Sequence, residues 1–191
     1  MALFYLYFSQ LDYRKIMSII KKKYNIEGYQ FSDDGMFPNN RHLPVLFYKG
    51  VLDLPVIFSS SSVRNLFEKN GWNDVWENNV YEYHHYHSRS HEVLGVYQGK
   101  TTLLIGGNKG VEISVKKGDV LIIPAGVAHK NLGPENSIKV VEAYSKKGGY
   151  DINHGYKDER LKTERNIQSV PIPMTDPVFG AAGEMMKFWN F

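Results

Sequence analysis

The sequence predicts an all-β domain in which antiparallel strands form a sandwich or a barrel. Six short runs rich in β-branched and aromatic residues follow one another at about ten-residue spacing; they are residues 80–88, 92–97, 101–105, 111–115, 120–123 and 138–143. Glycine-containing turns separate several of these runs, for example at Gly106-Gly107 and at Gly118. No helical pattern interrupts them, which argues against a parallel sheet whose strands alternate with helices.

Composition narrows the classes of function. The chain of 191 residues is long enough for one domain with a sizeable core. Its net charge of +3 is mild and no basic run exceeds Lys21-Lys22-Lys23, so we expect no nucleic acid partner. The lack of cysteine excludes disulfides, thiolate nucleophiles and cysteine-bound metals, and leaves histidine and carboxylate ligands for any metal site.

The first part of the chain is predicted to be peripheral to the barrel. Residues 3–8 are apolar but too short to span a bilayer, and no basic segment precedes them as in a secretory signal. We therefore expect no integral membrane segment and a cytoplasmic protein, with peripheral membrane or partner binding by residues 3–8 as an alternative. A capping-box pattern from Ser9 to Asp12 predicts a short amphipathic helix over residues 9–23.

Turn signals and short apolar runs fill the segment between this helix and the barrel. Residues 45–48 and 56–58 are predicted as short strands or extended arms. Ser62 is positioned to cap a helix that ends at Asn70-Gly71. At the other end of the chain, residues 150–165 are polar and are not expected in the core, whereas the aromatic residues near the C-terminus are expected to dock on the barrel.

A cluster of histidines marks the candidate site. Four of the seven histidines, His84, His85, His87 and His91, lie within eight positions, and Glu92 follows directly. A divalent metal relieves the repulsion within such a cluster because it binds the unprotonated imidazole. Residues i and i+2 of a strand face the same side, so His85 and His87 are expected to project together, with Tyr81 and Tyr83 on that side.

Two motifs resemble those of the cupin superfamily. His85-Tyr86-His87, four residues, Glu92, six residues and Gly99 fill the first cupin motif. Gly118, five residues, Pro124-Ala125-Gly126, two residues and His129 fill the second, although its trailing asparagine is displaced to Asn131. The flanking segments resemble the YjlB-like group of small single-domain cupins; they are Pro38-Asn39-Asn40, Leu43-Pro44-Val45-Leu46, Asn70-Gly71-Trp72 and Pro177-Val178-Phe179-Gly180.

The resemblance implies a fold and a metal site. The fold is a cupin double-stranded β-helix, or jelly-roll barrel, with a few short peripheral helices. Residues 1–28 would form an N-terminal extension with one amphipathic helix, and residues 29–191 a single cupin domain with its motif core at about 79–145. In cupins the corresponding side chains bind one metal, and here they are His85, His87, Glu92 and His129. Three imidazoles and a carboxylate suit one divalent transition metal, Fe, Mn, Zn, Ni or Cu, rather than Mg or Ca.

Several interpretations of function are compatible with this resemblance. The leading one is a metal-dependent enzyme of the dioxygenase, isomerase or decarboxylase type that acts on a small organic molecule, with Tyr83 or His91 as the candidate catalytic residue. His91 is otherwise expected beside the metal ligands or at the surface. The alternative is a small-molecule or metal-binding module without turnover. A third interpretation is a homodimer formed through arms such as residues 24–60, whereas a DNA-binding regulator would need a second helix that residues 1–28 do not offer.

Overall fold

The computed structural model describes residues 19–189. Within this range the chain forms eight strands, three α-helices and one turn of 3-10 helix at Gly107–Lys109. In chain order the elements are β1 Asn25–Tyr29, β2 Val45–Lys49, α1 Ser59–Lys69, β3 Asn73–Asn78, β4 Glu92–Ile105, β5 Val111–Lys116, β6 Val120–Ile123, β7 His129–Asn131, β8 Ile138–Tyr144, α2 Arg160–Ser169 and α3 Glu184–Trp189.

Strand β4 belongs to both sheets of the barrel. Its first half pairs with β6 and β8, and its second half pairs with β5 and β7, all antiparallel. The sequence predicted two strands here with a turn at residues 98–100, but the chain continues without a break. The pairing with β8 shifts register between Val96 and Gln98, and Gly99 has a φ of +79°, so a bulge bends the strand from one sheet into the other.

The two sheets form the expected jelly-roll barrel. The larger sheet has the strand order β1-β2-β6-β4-β8-β3, and the smaller one consists of β5, the second half of β4, and β7. Isolated bridges from His85 to His129 and from Tyr86 to Asn153 extend the smaller sheet. The run at 80–88, predicted as a strand, forms β-bridges only at His85 and Tyr86, and single backbone hydrogen bonds also reach it from the Asn131 N–H to the Tyr81 oxygen and from the Gly126 N–H to the His87 oxygen.

Side-chain alternation along the strands creates two apolar layers. Leu94, Val96 and Val140 face the interior of the barrel, whereas Val93 and Val141 face the outer side of the larger sheet. Helix α1 packs on that outer side through Val63 and Phe67, together with Trp72, Met185 and Trp189. Glu92 has the same strand parity as Leu94 and Val96, so its side chain faces the interior of the barrel as well, at the first residue of β4.

Helix α1 starts earlier than predicted. It begins at Ser59, so Ser62 lies within its first turn and donates its hydroxyl to the Phe58 carbonyl oxygen. Its end agrees with the prediction, because Gly71 follows with a φ of +81°. Residues 56–58 form no strand, and Val56 is 95% exposed.

The described part of the predicted N-terminal extension, residues 19–28, contacts the sheet and the core. Residues 3–8 and most of the helix predicted over 9–23 lie outside the described residues. The part that is described is not helical, since Ile20 forms an antiparallel bridge with Leu52 and Ile19 is buried in the core. Strand β1 starts at Asn25, so the boundary expected between residues 28 and 29 divides this strand.

The C-terminal part covers one side of the barrel. Trp189 is fully buried and donates its indole N–H to the Pro44 carbonyl oxygen at 2.9 Å, as expected for docked terminal aromatics. The polar stretch contains α2, and the buried Thr163 of this helix contacts Tyr86 beside the candidate site. None of the helices between residues 19 and 189 has the length and apolar character needed to cross a bilayer.

Candidate functional site

Three histidines converge at one end of the barrel interior. His85 and His87 lie on the extended segment between β3 and β4, and His129 begins β7. Ligand atoms of the three side chains all lie within 4.8 Å of one another, and all three residues are buried. The backbones of His85 and His129 exchange two hydrogen bonds, at 3.2 and 3.0 Å, which fix these residues side by side.

Each of these imidazoles has its Nδ1 atom against a backbone carbonyl. The partners are the Tyr83 oxygen at 3.4 Å for His85, the Val127 oxygen at 3.2 Å for His129, and the Asp151 oxygen for His87. A carbonyl oxygen can only accept, so Nδ1 carries the proton in each ring. The lone pair is then on Nε2, which is the arrangement that backbone partners impose on metal-binding histidines.

The carboxylate of Glu92 completes the group. Its Oε1 lies 3.5 Å from His87 Nε2 and its Oε2 lies 3.2 Å from His129 Nε2. Tyr144 donates its hydroxyl to Oε1 at 3.4 Å. Despite these short separations, His87 Nε2 and Glu92 Oε2 have no partner aligned for a hydrogen bond, although both are buried. Two buried polar atoms left without a partner in one group of candidate ligands fit a bound cation.

The electrostatics favour the protonation states that a metal requires at Glu92 and His85, whereas they favour the protonated form of His87. Burial raises the pKa of Glu92, but the neighbouring His87 and His129 outweigh burial and hold this pKa well below its usual value. Burial, and then His129, lower the pKa of His85 to about 2, so its imidazole is neutral. Burial also lowers the pKa of His87, but Glu92 outweighs it and raises that pKa overall.

A brace formed by Asp151 and Asn153 holds the segment that carries His85 and His87. The Asp151 carboxylate accepts from the Ser88 N–H at 2.7 Å and from the Ser88 hydroxyl at 2.6 Å. Asn153 and Tyr86 exchange backbone hydrogen bonds at 3.0 Å. This brace was not predictable from sequence, because residues 150–165 are polar and follow the last strand. They reach the site only because the chain reverses direction after β8.

The two candidate catalytic residues lie in different places. His91 is buried rather than at the surface, accepts the Ala125 N–H on its Nδ1 at 3.0 Å and packs 4.8 Å from the Trp189 ring, on the side of β4 opposite to Glu92. Burial lowers the pKa of His91 to about 4. Tyr83 is at the rim, 48% exposed, with its ring centre 6.0 Å from that of His85.

The other clustered histidines do not join the site. His84 points away from the cavity, as its strand parity predicted, and its ring lies 5.0 Å from Phe37. His154, which lies outside the cluster in sequence, is half-buried between the rings of Tyr83 and Tyr156, at 5.5 and 5.7 Å. Asn131 is buried, and its side-chain oxygen accepts hydrogen bonds from the Thr101 hydroxyl at 2.6 Å and from the Gly133 N–H at 3.0 Å. It therefore stabilises a turn and is not a candidate ligand.

A cavity of about 290 Å³ opens onto His85 and His87. Tyr144 and Tyr150 form one wall as a stacked pair whose ring centres are 4.3 Å apart. Glu142 is a second carboxylate in this cavity, and burial, followed by the charge of Glu92, raises its pKa to about 7. The alternation of Val140 and Glu142 in the strand predicted over residues 138–143 could have identified Glu142 as an inward-facing acid.

Comparison with known proteins agrees with the motifs and the barrel. The cupin domain model matches residues 75–142. The uncharacterized Bacillus subtilis protein YjlB is 34% identical over 163 residues, which cover 85% of this chain and 96% of YjlB.

Two of the solved structures similar to this protein cover different shares of its chain. A cupin 2 conserved barrel domain protein from Rhodopseudomonas palustris has a TM-score of 0.36 and 14% identity, over 77% of this chain and 90% of that one. Acireductone dioxygenase from Bacillus anthracis, with cadmium in its active centre, also has a TM-score of 0.36, with 15% identity over 47% of this chain and 61% of that one. Likenesses this distant carry no information on chemistry. The family model and the extensive match to YjlB, by contrast, agree with both motifs, and the chain belongs to the cupin family.

Proposed function

We propose that this chain binds one divalent transition metal through His85, His87, Glu92 and His129 and acts there as an enzyme on a small organic molecule. The observation that carries the proposal is the convergence of three buried imidazoles whose ligand atoms lie within 4.8 Å of one another, together with two buried atoms in this group, His87 Nε2 and Glu92 Oε2, that have no hydrogen-bond partner. Leaving such atoms without a partner costs about 1–3 kcal/mol each. A cation at their centre removes this cost.

The donor set restricts the metal and its chemistry. Three imidazole nitrogens and one carboxylate oxygen suit Fe, Mn, Zn, Ni or Cu. Four protein ligands leave coordination positions open on an octahedral ion, and a metal bound there would supply Lewis-acid or redox chemistry to a substrate. Dioxygenase, isomerase and decarboxylase reactions are the classes that this chemistry supports.

The residues of the chain prepare the site for such a role. The backbone carbonyls behind His85, His87 and His129 orient the imidazoles before any ligand arrives. Tyr144 holds Glu92 through its hydroxyl, and its ring, stacked on Tyr150, forms part of the cavity wall. The cavity is large enough for a small organic molecule and opens directly onto two of the proposed ligands.

Metal analysis of the purified full chain tests the site. We expect about one equivalent of zinc after loading and dialysis, and a fall in affinity of about 100-fold or more in His85→Ala, because the variant loses a direct ligand. His42→Ala removes an exposed histidine outside the cavity and is the matched control. Thermal unfolding in the presence of a chelator verifies that both variants fold. Unchanged zinc binding by folded His85→Ala would overturn the proposed site.

Turnover is tested separately from metal binding. Oxygen uptake by the iron-loaded chain across small diols, thiols and keto acids examines the dioxygenase branch, and product analysis with the zinc- or manganese-loaded chain examines isomerisation and decarboxylation. A chain that holds metal and a small molecule but converts none of these compounds would instead be a non-catalytic binding module.

A further inference from the structure

The cavity above the proposed metal ligands combines acidic and aromatic residues. Glu77 and Glu142 supply carboxylates, and four aromatic side chains also line it, those of Trp76, Tyr81, Tyr144 and Tyr150. Within the described part of the chain, none of its lining residues is a lysine or an arginine. Apart from the proposed ligands His85 and His87, the wall therefore offers carboxylates and aromatic rings, with no lysine or arginine that could receive an anionic group.

Glu142 is the less exposed of the two acidic residues in this wall. It shares strand parity with Val140 and Tyr144, so its side chain is directed towards the barrel interior, and it is half-buried. The Asn78 amide donates to Glu142 Oε1 at 3.0 Å. Among residues 19–189 no ion pair within 4.0 Å neutralises this carboxylate. A partly desolvated carboxylate with only a neutral partner is a binding site for a positive charge.

Aromatic rings flank this carboxylate. Trp76 is the cross-strand partner of Glu142 in the pairing of β3 with β8, and its side chain is 53% exposed. The stacked rings of Tyr144 and Tyr150 lie on the other side, next to His87 at ring-centre distances of 5.1 and 6.1 Å. Indole and phenol rings attract organic cations and favour them over neutral groups of the same shape.

We propose that the cavity takes a small organic cation, an amine or a quaternary ammonium compound, whose positive group is held by Glu142 beside Trp76. The opposite end of the molecule then points towards His85 and His87, and this second part rests on the proposed function. The substrate class is accordingly a small molecule with a cationic group at one end and a group able to reach the metal at the other.

Pairs of charged and uncharged probes test this proposal by calorimetric titration of the zinc-loaded full chain. Ethanolamine is compared with n-propanol, and choline with neohexyl alcohol, its uncharged carbon isostere. We expect at least one cation to bind about tenfold or more tightly than its neutral counterpart. Equal affinities within both pairs, or no measurable binding of either cation, would overturn the proposal.

Two glutamate variants locate the effect. Glu142→Gln keeps the shape of the side chain and its contact with Asn78 but removes the charge, so we expect it to lose most of the preference for the cation. Glu112→Gln removes the same charge from an exposed position of β5, outside the cavity, and should keep the preference. A preference that survives in Glu142→Gln would show that another feature selects the cation and would refute the role of Glu142.

The zinc content of the same samples separates the two proposals. Full zinc occupancy without a preference for cations would overturn the inference and leave the metal site standing. A preference for cations in a chain that retains no zinc would overturn the metal site and support the role of Glu142. Equal zinc content in Glu142→Gln and wild type shows that the substitution has left the proposed ligands in place.

Discussion

Asp151 contacts both the backbone next to the candidate ligand His87 and the imidazole of His87 itself. Its carboxylate fixes the turn at Ser88 through two hydrogen bonds, and its backbone carbonyl oxygen accepts a hydrogen bond from the Nδ1–H of His87. Burial raises the pKa of Asp151, but the hydrogen bonds from Ser88 outweigh burial and lower this pKa overall, so the side chain is a carboxylate at neutral pH. One residue thereby fixes the turn that follows His87 and the ring of His87 itself.

Substitution of Asp151 should weaken metal binding without removing a proposed ligand. We expect Asp151→Ala to lower zinc affinity by about tenfold, because His87 is then less well oriented. Competition with a chromophoric chelator measures the affinity. Asp158→Ala removes an exposed carboxylate from the turn before α2 and is the control. Equal zinc affinity in Asp151→Ala and wild type would mean that the orientation of His87 does not depend on this side chain.

Motif spacing identified more of the candidate metal ligands than the alternation of side chains along predicted strands could. The two motifs singled out His85, His87, Glu92 and His129; the three imidazoles converge, and the Glu92 carboxylate lies beside those of His87 and His129, while their role as metal ligands stays a proposal. Strand parity could not decide between His91 and Glu92, since the turn before them resets the alternation. Only the path of β4 places Glu92 inside, and His91 on the outer side against Trp189. Asp151 and Tyr150 were not predictable because they follow the last strand and reach the site by chain reversal.

Contact between α1 and β4 depends on a glycine. A Cβ atom at Gly95 would lie 2.5 Å from Val63 Cγ1 and 2.8 Å from Phe67 Cζ. Both partners are buried side chains of α1, so neither can move without loosening the helix from the larger sheet. Gly95 therefore sets how closely the helix approaches the sheet.

Gly95→Ala should destabilise the fold by about 2 kcal/mol through overpacking. The free energy of unfolding from urea titration measures this effect. Gly28→Ala is a matched control in strand β1, because a Cβ there would meet no atom closer than 3.9 Å, and its stability should stay within about 0.5 kcal/mol of wild type. If Gly95→Ala were as stable as Gly28→Ala, α1 would have to be free to shift on the sheet.

Strands were predictable from sequence where the local pattern of residues determines them. They were less predictable where pairing with other strands determines their extent. Alternation and turn residues predicted strands at the positions of β2, β5, β6 and β8. The turn expected at residues 98–100 is instead a bulge, because partners on both sides of β4 keep the strand continuous. Conversely, residues 80–88 have strand composition, yet bridge only at His85 and Tyr86.

The folded unit includes residues upstream of the predicted boundary at residue 29. Strand β1 covers the edge of β2, whose residues Val45 to Tyr48 are buried. Upstream of β1, the Asp53 N–H donates to the Ile19 carbonyl oxygen at 2.7 Å, and Ile19 packs into the outer apolar layer. The described residues before 29 are thus part of the sheet and of its core, although sequence resemblance alone suggested a dispensable extension.

Deletion of residues 1–28 should therefore destabilise the barrel. The truncation removes β1 and the buried Ile19, and we expect the free energy of unfolding to fall by about 3 kcal/mol or more. It also leaves β2 as an unprotected edge, which should promote association at high protein concentration. Urea titration and light scattering measure the two effects. Deletion of residues 1–18, which retains every contact described above, is the control that separates the loss of β1 and Ile19 from the loss of the preceding chain. If the two truncations proved equally stable, neither β1 nor Ile19 would contribute to the stability of the barrel, and the folded unit would begin after residue 28.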